Sequence, residues 1–492
     1  MMNTMLKSNG NPVSVGGVVL RTPGLTGKVT VRTPGAPDMR AAELSSDELL
    51  AVLKNEGIEE QVTLEISDAR EEDTGAAVTR STYTGEPALE LEVPAPGDDW
   101  GQIVLFTDES GVMNWSFARD DDNRLDTTRG GSTRVYRIPR RVAPSEDKAE
   151  NRGLIGAIGK KIMKILVFPL VDPLIGKVGE VFVSNWEKAK RPYRLRTITP
   201  DNYASNNADL ITGEGWSRYS GKRSLLIVHG TFSRAHSTIG GLPRDFVENL
   251  YNLYEGRIFA FDHYTLSEDP KENIEWFLRN LPDNLNLDLD IICHSRGGLV
   301  SRCLAEKQSV ISMGARSIKV NKIIFAATPN AGTPLTDNNY MGDFIDSYTN
   351  LLNFFPDNGV TEILEAIVTL VKQLAVDALK GLRGLQSMNP EGKFLTQWLN
   401  KEPVGSASYY ALGANFEPVN KGLKDWYQNR LMDKIFKAEN DLVVPTNGVF
   451  AKNGSPAFPI DNKHIFNASD GVTHGGFFIN PIARQKIMEW LR

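Results

Sequence analysis

The sequence predicts a doubly wound, mostly parallel α/β sheet over residues 221–492, with a helical insertion at 335–405 and an all-β domain at 1–140 in front of it. Two observations carry this. The second half holds five short apolar runs without alternation, separated by helical segments. The first half instead alternates apolar and polar residues between clusters of Gly, Asp and Pro.

The N-terminal part reads as a small sandwich-like domain. Ala88–Val93 alternates apolar and charged residues, the pattern of a half-buried strand. Gln61–Ile66, Gln102–Phe106, Val112–Phe117 and Arg134–Ile138 are further strand candidates. One helix is expected at Ser46–Asn55, opened by a capping box of Ser45 and Glu48 and stopped at Gly57. Residues 1–140 contain no His and no Cys, so no nucleophile–base pair is sought there.

Residues 141–220 read as a connection. A charged stretch, Arg140–Arg152, precedes an apolar one, Gly153–Val183, that carries Lys160, Lys161, Lys164, Asp172 and Lys177. Pro169 and Pro173 would interrupt a continuous helix there. The preferred expectation is an interdomain helix pair with one buried face; its alternative is an amphipathic anchor lying in a membrane interface.

A chain of 492 residues is long enough for two to four domains. Its net charge of -6 argues against a general nucleic-acid binder. The two cysteines, Cys293 and Cys303, fall in one strand–helix unit, and such scarcity suits a reducing, cytoplasmic setting. Met1–Pro12 lacks the apolar core of a secretory signal, and no stretch is long and apolar enough to span a bilayer.

The five apolar runs are Ser224–Val228, Arg257–Phe261, Leu289–Cys293, Lys322–Ala327 and Ser408–Gly413, with helices expected at Arg244–Tyr254 and Pro270–Asn280. The third run leads into Cys293-His-Ser-Arg-Gly297 and then a helix, the setting of a nucleophile elbow. A sharp turn there lifts the Ser295 hydroxyl above the sheet edge. Gly297 is small enough for strand and helix to approach, while Cys293 stands where glycine is more usual.

A serine hydroxyl needs a base. His474, in the loop after an expected last strand at His464–Ala468, is preferred over His464, which starts that strand. His294 flanks the serine and is expected to pack away from substrate. The base needs a carboxylate to fix its tautomer. Asp441 gives the chain order Ser, Asp, His; Asp461 and Asp470 are the alternatives. An oxyanion needs backbone donors. The Arg296 amide is one, and the loop after the first strand supplies Thr231 or, failing that, Phe232.

With these residues in place, 221–492 resembles the lipase and esterase branch of the α/β-hydrolases. His229-Gly230-Thr231 resembles their oxyanion loop, Thr328–Pro334 their post-strand motif, and Asn440-Asp441 with Val444-Pro445 their acid loop. The resemblance implies ester hydrolysis through an acyl-enzyme, with 335–405 as a cap or lid. Within it, Asp343–Phe355 and Thr361–Leu382 read as amphipathic helices. A lipid or acyl-ester substrate is expected, with peripheral membrane contact and a protein partner for the N-terminal domain. No cofactor, metal or nucleic acid is expected: HExxH spacing and a P-loop are both lacking. The alternatives are an amidase or peptidase with the same triad, a gated phospholipase-type toxin or defence effector, and an idle binding module.

Overall fold

The computed structural model describes residues 3–32, 47–72, 88–97, 100–107, 111–117, 123–124, 133–139, 162–170, 179–207, 209–337, 340–354, 360–374, 382–401, 405–418, 435–452, 458, 460 and 462–492. The chain divides into two compact units. One is formed mainly by Met1–Lys177, the other by Val178–Ile367, Leu379–Val419 and Tyr427–Arg492.

The first unit holds β1 (Asn3–Met5), β2 (Val13–Val15), β3 (Val18–Arg21), β4 (Leu25–Arg32), α1 (Asp47–Asn55), β5 (Val62–Glu71), β6 (Ala88–Pro94), β7 (Gly101–Thr107), β8 (Met113–Phe117), β9 (Asn123–Arg124), β10 (Thr133–Pro139) and β11 (Ile162–Leu170). They form a six-stranded sheet, β1-β4-β5-β11-β7-β8, and a five-stranded sheet, β2-β3-β6-β10-β9. One core joins them: Leu20, Leu89, Leu91 and Tyr136 of the smaller sheet meet Val29, Leu64, Phe106 and Ile165 of the larger. Each such side chain removed from water contributes roughly 1.5–3 kcal/mol. Gly57 follows α1 with φ +73°, a backbone that favours glycine at a helix stop. Ser45 of the expected capping box lies outside the described residues.

The connection expected at 141–220 is corrected. Ile162–Leu170 is strand, not helix, and pairs antiparallel with β5 and β7. Ile165 and Val167, which an interfacial anchor would give to lipid, lie in the sandwich core. A run of β-branched and aromatic residues buried on both faces cannot be told from a buried helix by period alone. The stretches 140–152, 153–161 and 171–178 lie outside the described residues.

The second unit opens with α2 (Gly179–Lys190) and β12 (Arg194–Thr197), well ahead of residue 221. There follow β13 (Arg223–Val228), α3 (Ala235–Ile239), α4 (Arg244–Leu253), β14 (Ile258–Asp262), α5 (Pro270–Arg279), β15 (Asn286–His294), α6 (Gly297–Glu306), β16 (Ser317–Ala326), α7 (Met341–Phe354), α8 (Val360–Leu374, of which the part from Val368 on is assigned to the first unit), β17 (Ser408–Ala414), β18 (Asn462–Phe466) and α9 (Pro481–Leu491). The sheet order is β12-β14-β13-β15-β16-β17-β18. Only β12 runs antiparallel to its neighbour.

Strand alternation sends side chains to both faces. Leu225, Ile227, Ile292 and Ile324 pack with Phe246, Leu250 and Ile487 of α4 and α9. Phe261 meets Trp276 and Phe277 of α5. The sheet is therefore doubly wound, and its strands' carboxyl ends converge where loops can meet. Among the described residues, no helix is long and apolar enough to cross a membrane.

Candidate active site

β15 delivers the chain to Ser295, and α6 takes it away after two residues. Ser295 sits at φ 51°, the left-handed region that a non-glycine residue enters at a cost of about 1–3 kcal/mol. Packing enforces the turn. The Ser295 amide donates to Ala326 O at 2.8 Å, and its carbonyl accepts from the Gly298 amide at 3.0 Å. A Cβ at Gly297 would stand 2.4 Å from His229 O, and one at Gly298 would stand 2.2 Å from Thr328 Oγ1. Cys293 fits the tight first position with its thiol against Ile324 O at 3.3 Å. Burial pushes that thiol up to about 12.

His474 Nε2 lies 3.0 Å from Ser295 Oγ, and His474 Nδ1 lies 2.9 Å from Asp441 Oδ2. A carboxylate oxygen accepts, so Nδ1 carries the proton and Nε2 accepts from the serine hydroxyl. The other carboxylate oxygen, Asp441 Oδ1, accepts from the amides of Val443 at 3.0 Å and Val444 at 2.8 Å. This turn aims Oδ2 at the imidazole. The His474 amide donates to Asp441 O at 3.0 Å, and His294 Nε2 reaches His474 O at 2.8 Å. His294 thus steadies the loop that holds His474. The three aligned residues are nearly out of water: Ser295 and Asp441 are 1% exposed and His474 2%.

The alternatives lie elsewhere. His464 is in β18, with its ring against Phe466. Asp470 accepts from the Asn467 amide and closes a short turn. Asp461 lies outside the described residues.

The loop after β13 crosses close over the serine: a Cβ at Gly230 would lie 2.7 Å from Ser295 Cβ. Neither the Thr231 nor the Arg296 backbone N–H has a protein acceptor among the described residues. The Phe232 amide, by contrast, donates to Thr265 Oγ1 at 3.4 Å. Two idle buried amides flanking one hydroxyl are what a developing oxyanion requires.

Sequence reasoning missed the residues that hold the loops around the serine. Glu187 of α2, 1% exposed, accepts from the amides of Thr265, Leu266 and Ser267. The Arg296 side chain, fully buried, donates to the carbonyls of Gly384, Tyr264 and Glu268. Arg191 donates to Phe232 O at 2.5 Å. None of these follows from a local pattern, because each partner is remote in sequence. Tyr348 of α7 was missed too. Its ring stands edge-on to Phe232 at 4.8 Å and to His474 at 6.1 Å, and its phenol interacts with Ser295. Burial raises that phenol far above its usual range, so it is a protonated donor.

A family model described as "Domain of unknown function (DUF7379)" matches residues 190–492. The chain belongs to the DUF7379 family. No curated protein matches the sequence. Among solved structures, the chain is similar to a metagenomic carboxyl esterase at 13% identity and TM-score 0.31, over 58% of this chain and 79% of that one. It is similar to lipase 1 from Pelosinus fermentans at 14% identity and TM-score 0.34, over 54% and 97%. It is also similar to the Staphylococcus hyicus lipase at 14% identity and TM-score 0.30, over 55% and 95%.

The DUF7379 domain buries three imidazoles beside its candidate site. Burial lowers His229 to about 4 and His294 to about 3, and holds His263 well below the usual range. His229 Nε2 accepts from the His263 amide at 3.0 Å, so His229 is neutral there. A histidine whose folded pKa is lowered binds its proton more readily when unfolded. Stability is therefore full above about pH 6.5 and falls as pH drops towards the folded values. Each imidazole contributes a slope of roughly 1.4 kcal/mol per pH unit in that window. Urea unfolding of the DUF7379 domain is expected to show a marked loss of stability between pH 7 and pH 5. Equal stability at both would mean these imidazoles are not held neutral.

Proposed function

We propose that this protein is a serine hydrolase that cleaves carboxylic esters of lipid or other acyl type. One observation carries the reading: Ser295, at a left-handed turn between strand and helix, heads a hydrogen-bonded line through His474 to Asp441. Ser295 Oγ attacks the acyl carbon as His474 Nε2 takes its proton, and Asp441 stabilises the imidazolium. The tetrahedral oxyanion receives the Thr231 and Arg296 amides. Collapse expels the alcohol, which takes the proton from His474. Water, deprotonated by the same imidazole, then releases the acid and restores the serine.

The acyl preference rests on the surroundings. Phe232 and Phe344 pack on Tyr348, whose phenol reaches Ser295, and this aromatic cluster beside the nucleophile suits a hydrocarbon chain. With Ser295 1% exposed, a substrate enters only after α7 shifts, so the insertion acts as a lid.

p-Nitrophenyl esters of increasing chain length, assayed with and without phospholipid vesicles, test this. Turnover of long acyl esters, raised by vesicles, is the expected result. No hydrolysis of any ester, with no labelling by a fluorophosphonate, would overturn the reading.

A further inference from the structure

Glu362 belongs to α8, in the insertion, yet its carboxylate is spent on the loop after β13. Oε1 accepts from Arg234 Nη2 and from His236 Nε2 at 3.1 Å. Oε2 accepts from Arg234 Nε at 3.3 Å and from Ser237 Oγ at 2.7 Å. Each oxygen has two donors, which fills a carboxylate. The site is sheltered: the Arg234 and His236 side chains are each 11% exposed.

Two more guanidiniums back these donors. Buried Arg191 donates to the Glu362 carbonyl as well as to Phe232 O. Fully buried Arg196 brings Nη1 to 3.5 Å from His236 Nδ1. Arginine only donates, so Nδ1 accepts and Nε2 carries the proton given to Glu362. Arg196 Nε has no partner among the described residues. Three other carboxylates lie near: Glu187 is taken by the 265–267 amides, Asp262 accepts from the Ala235 amide through Oδ1 at 2.8 Å and faces Arg196, and Glu365 faces Arg191. Burial lowers Arg191 to about 10 despite Glu362 beside it. Burial pushes Glu362 up, but hydrogen bonds from His236 and Arg234 outweigh it and hold the carboxyl far below its usual range.

We propose that Arg234, His236 and Ser237, backed by Arg191 and Arg196, form a phosphate-binding site that Glu362 fills in this structure as an internal stand-in. The planar arginine fork takes carboxylate or phosphate in the same two-pronged way. A phosphate group offers a third terminal oxygen, and the cluster has donors beyond those a carboxylate uses. The site adjoins the oxyanion loop through Arg191 and Phe232. The phosphate is that of an anionic lipid headgroup or of a free phosphate ion. Binding there does not depend on Ser295 chemistry.

The test uses the full chain in a Ser295→Ala background. Inorganic phosphate is titrated calorimetrically at constant ionic strength. Phosphatidylcholine vesicles, with and without phosphatidic acid, are assayed by co-sedimentation. Glu362→Gln is expected to tighten phosphate binding at least tenfold, and adding Arg234→Gln is expected to abolish the gain. A gain with inorganic phosphate alone assigns the free ion. A gain that extends to phosphatidic acid vesicles, but not to phosphatidylcholine alone, assigns the headgroup. No gain with either probe in folded Glu362→Gln overturns the site. If that variant does not fold, Glu362→Asp, one methylene short of Arg234 and Ser237, is judged by the same criteria. Phosphate binding in this background, with no ester turnover by the chain that keeps Ser295, would leave this site standing and sink the hydrolase reading; the reverse would do the opposite.

Discussion

Ser295→Ala is expected to lose ester hydrolysis by about 10⁶ in kcat, the scale seen when a triad nucleophile is removed. The hydroxyl's partners are His474 Nε2 and the Tyr348 phenol, and its removal leaves His474 held by Asp441. Alanine meets the same left-handed backbone as serine and adds no atoms, so stability should change by no more than about 1 kcal/mol. Single-turnover kinetics with a p-nitrophenyl ester, beside thermal unfolding, check both halves. Retained turnover in a folded variant would place the nucleophile elsewhere.

Asp441→Asn is expected to lower activity by about 10⁴. Asp441 Oδ1 is fixed by two backbone amides, from Val443 and Val444, which demand an acceptor. The asparagine carbonyl oxygen must therefore take that position, and its NH₂ group must face His474 Nδ1. A donor then meets a donor, and the imidazole relieves this by moving its proton to Nε2. The nitrogen facing Ser295 can no longer accept. Nitrogen-15 NMR of His474 should show the tautomer change alongside the kinetic loss. Activity near that of the parent, or an unchanged tautomer, would remove Asp441 from the role.

Local information reached the parts of the molecule that are locally determined. The buried strands from Ser224 to Gly413 are short apolar runs, and β13 to β17 fall on them within a few residues. The elbow was legible because strand, turn residues and helix are contiguous. The candidate acid and base came from loop position and chain order, and the structure brings His474 to Ser295 and Asp441 to His474. Long-range partners were not legible. β11 reads as a helix until β5 and β7 flank it. β12 is only Arg194–Thr197, polar at alternate positions and too short to show a period. Glu187 and Glu362 look like ordinary helical glutamates, since their donors lie 78 and 128 residues away. Tyr348 looks like one aromatic on an apolar stripe, and only the path of α7 brings it to the serine.

The serine and its base are 179 residues apart in the chain. Ribosomes add about 5–20 residues per second, so Ser295 is made roughly 10–35 s before His474 exists. Through that interval the newborn chain holds an unactivated alcohol. The strand that precedes His474, β18, is also the last in chain order and lies at the edge of the sheet beyond β17. On the proposed mechanism, competence to cleave esters arrives only once His474 is made, and a chain interrupted between these two positions is expected to be inert. If the chain is the hydrolase proposed above, the order of its residues acts as a timer on that activity.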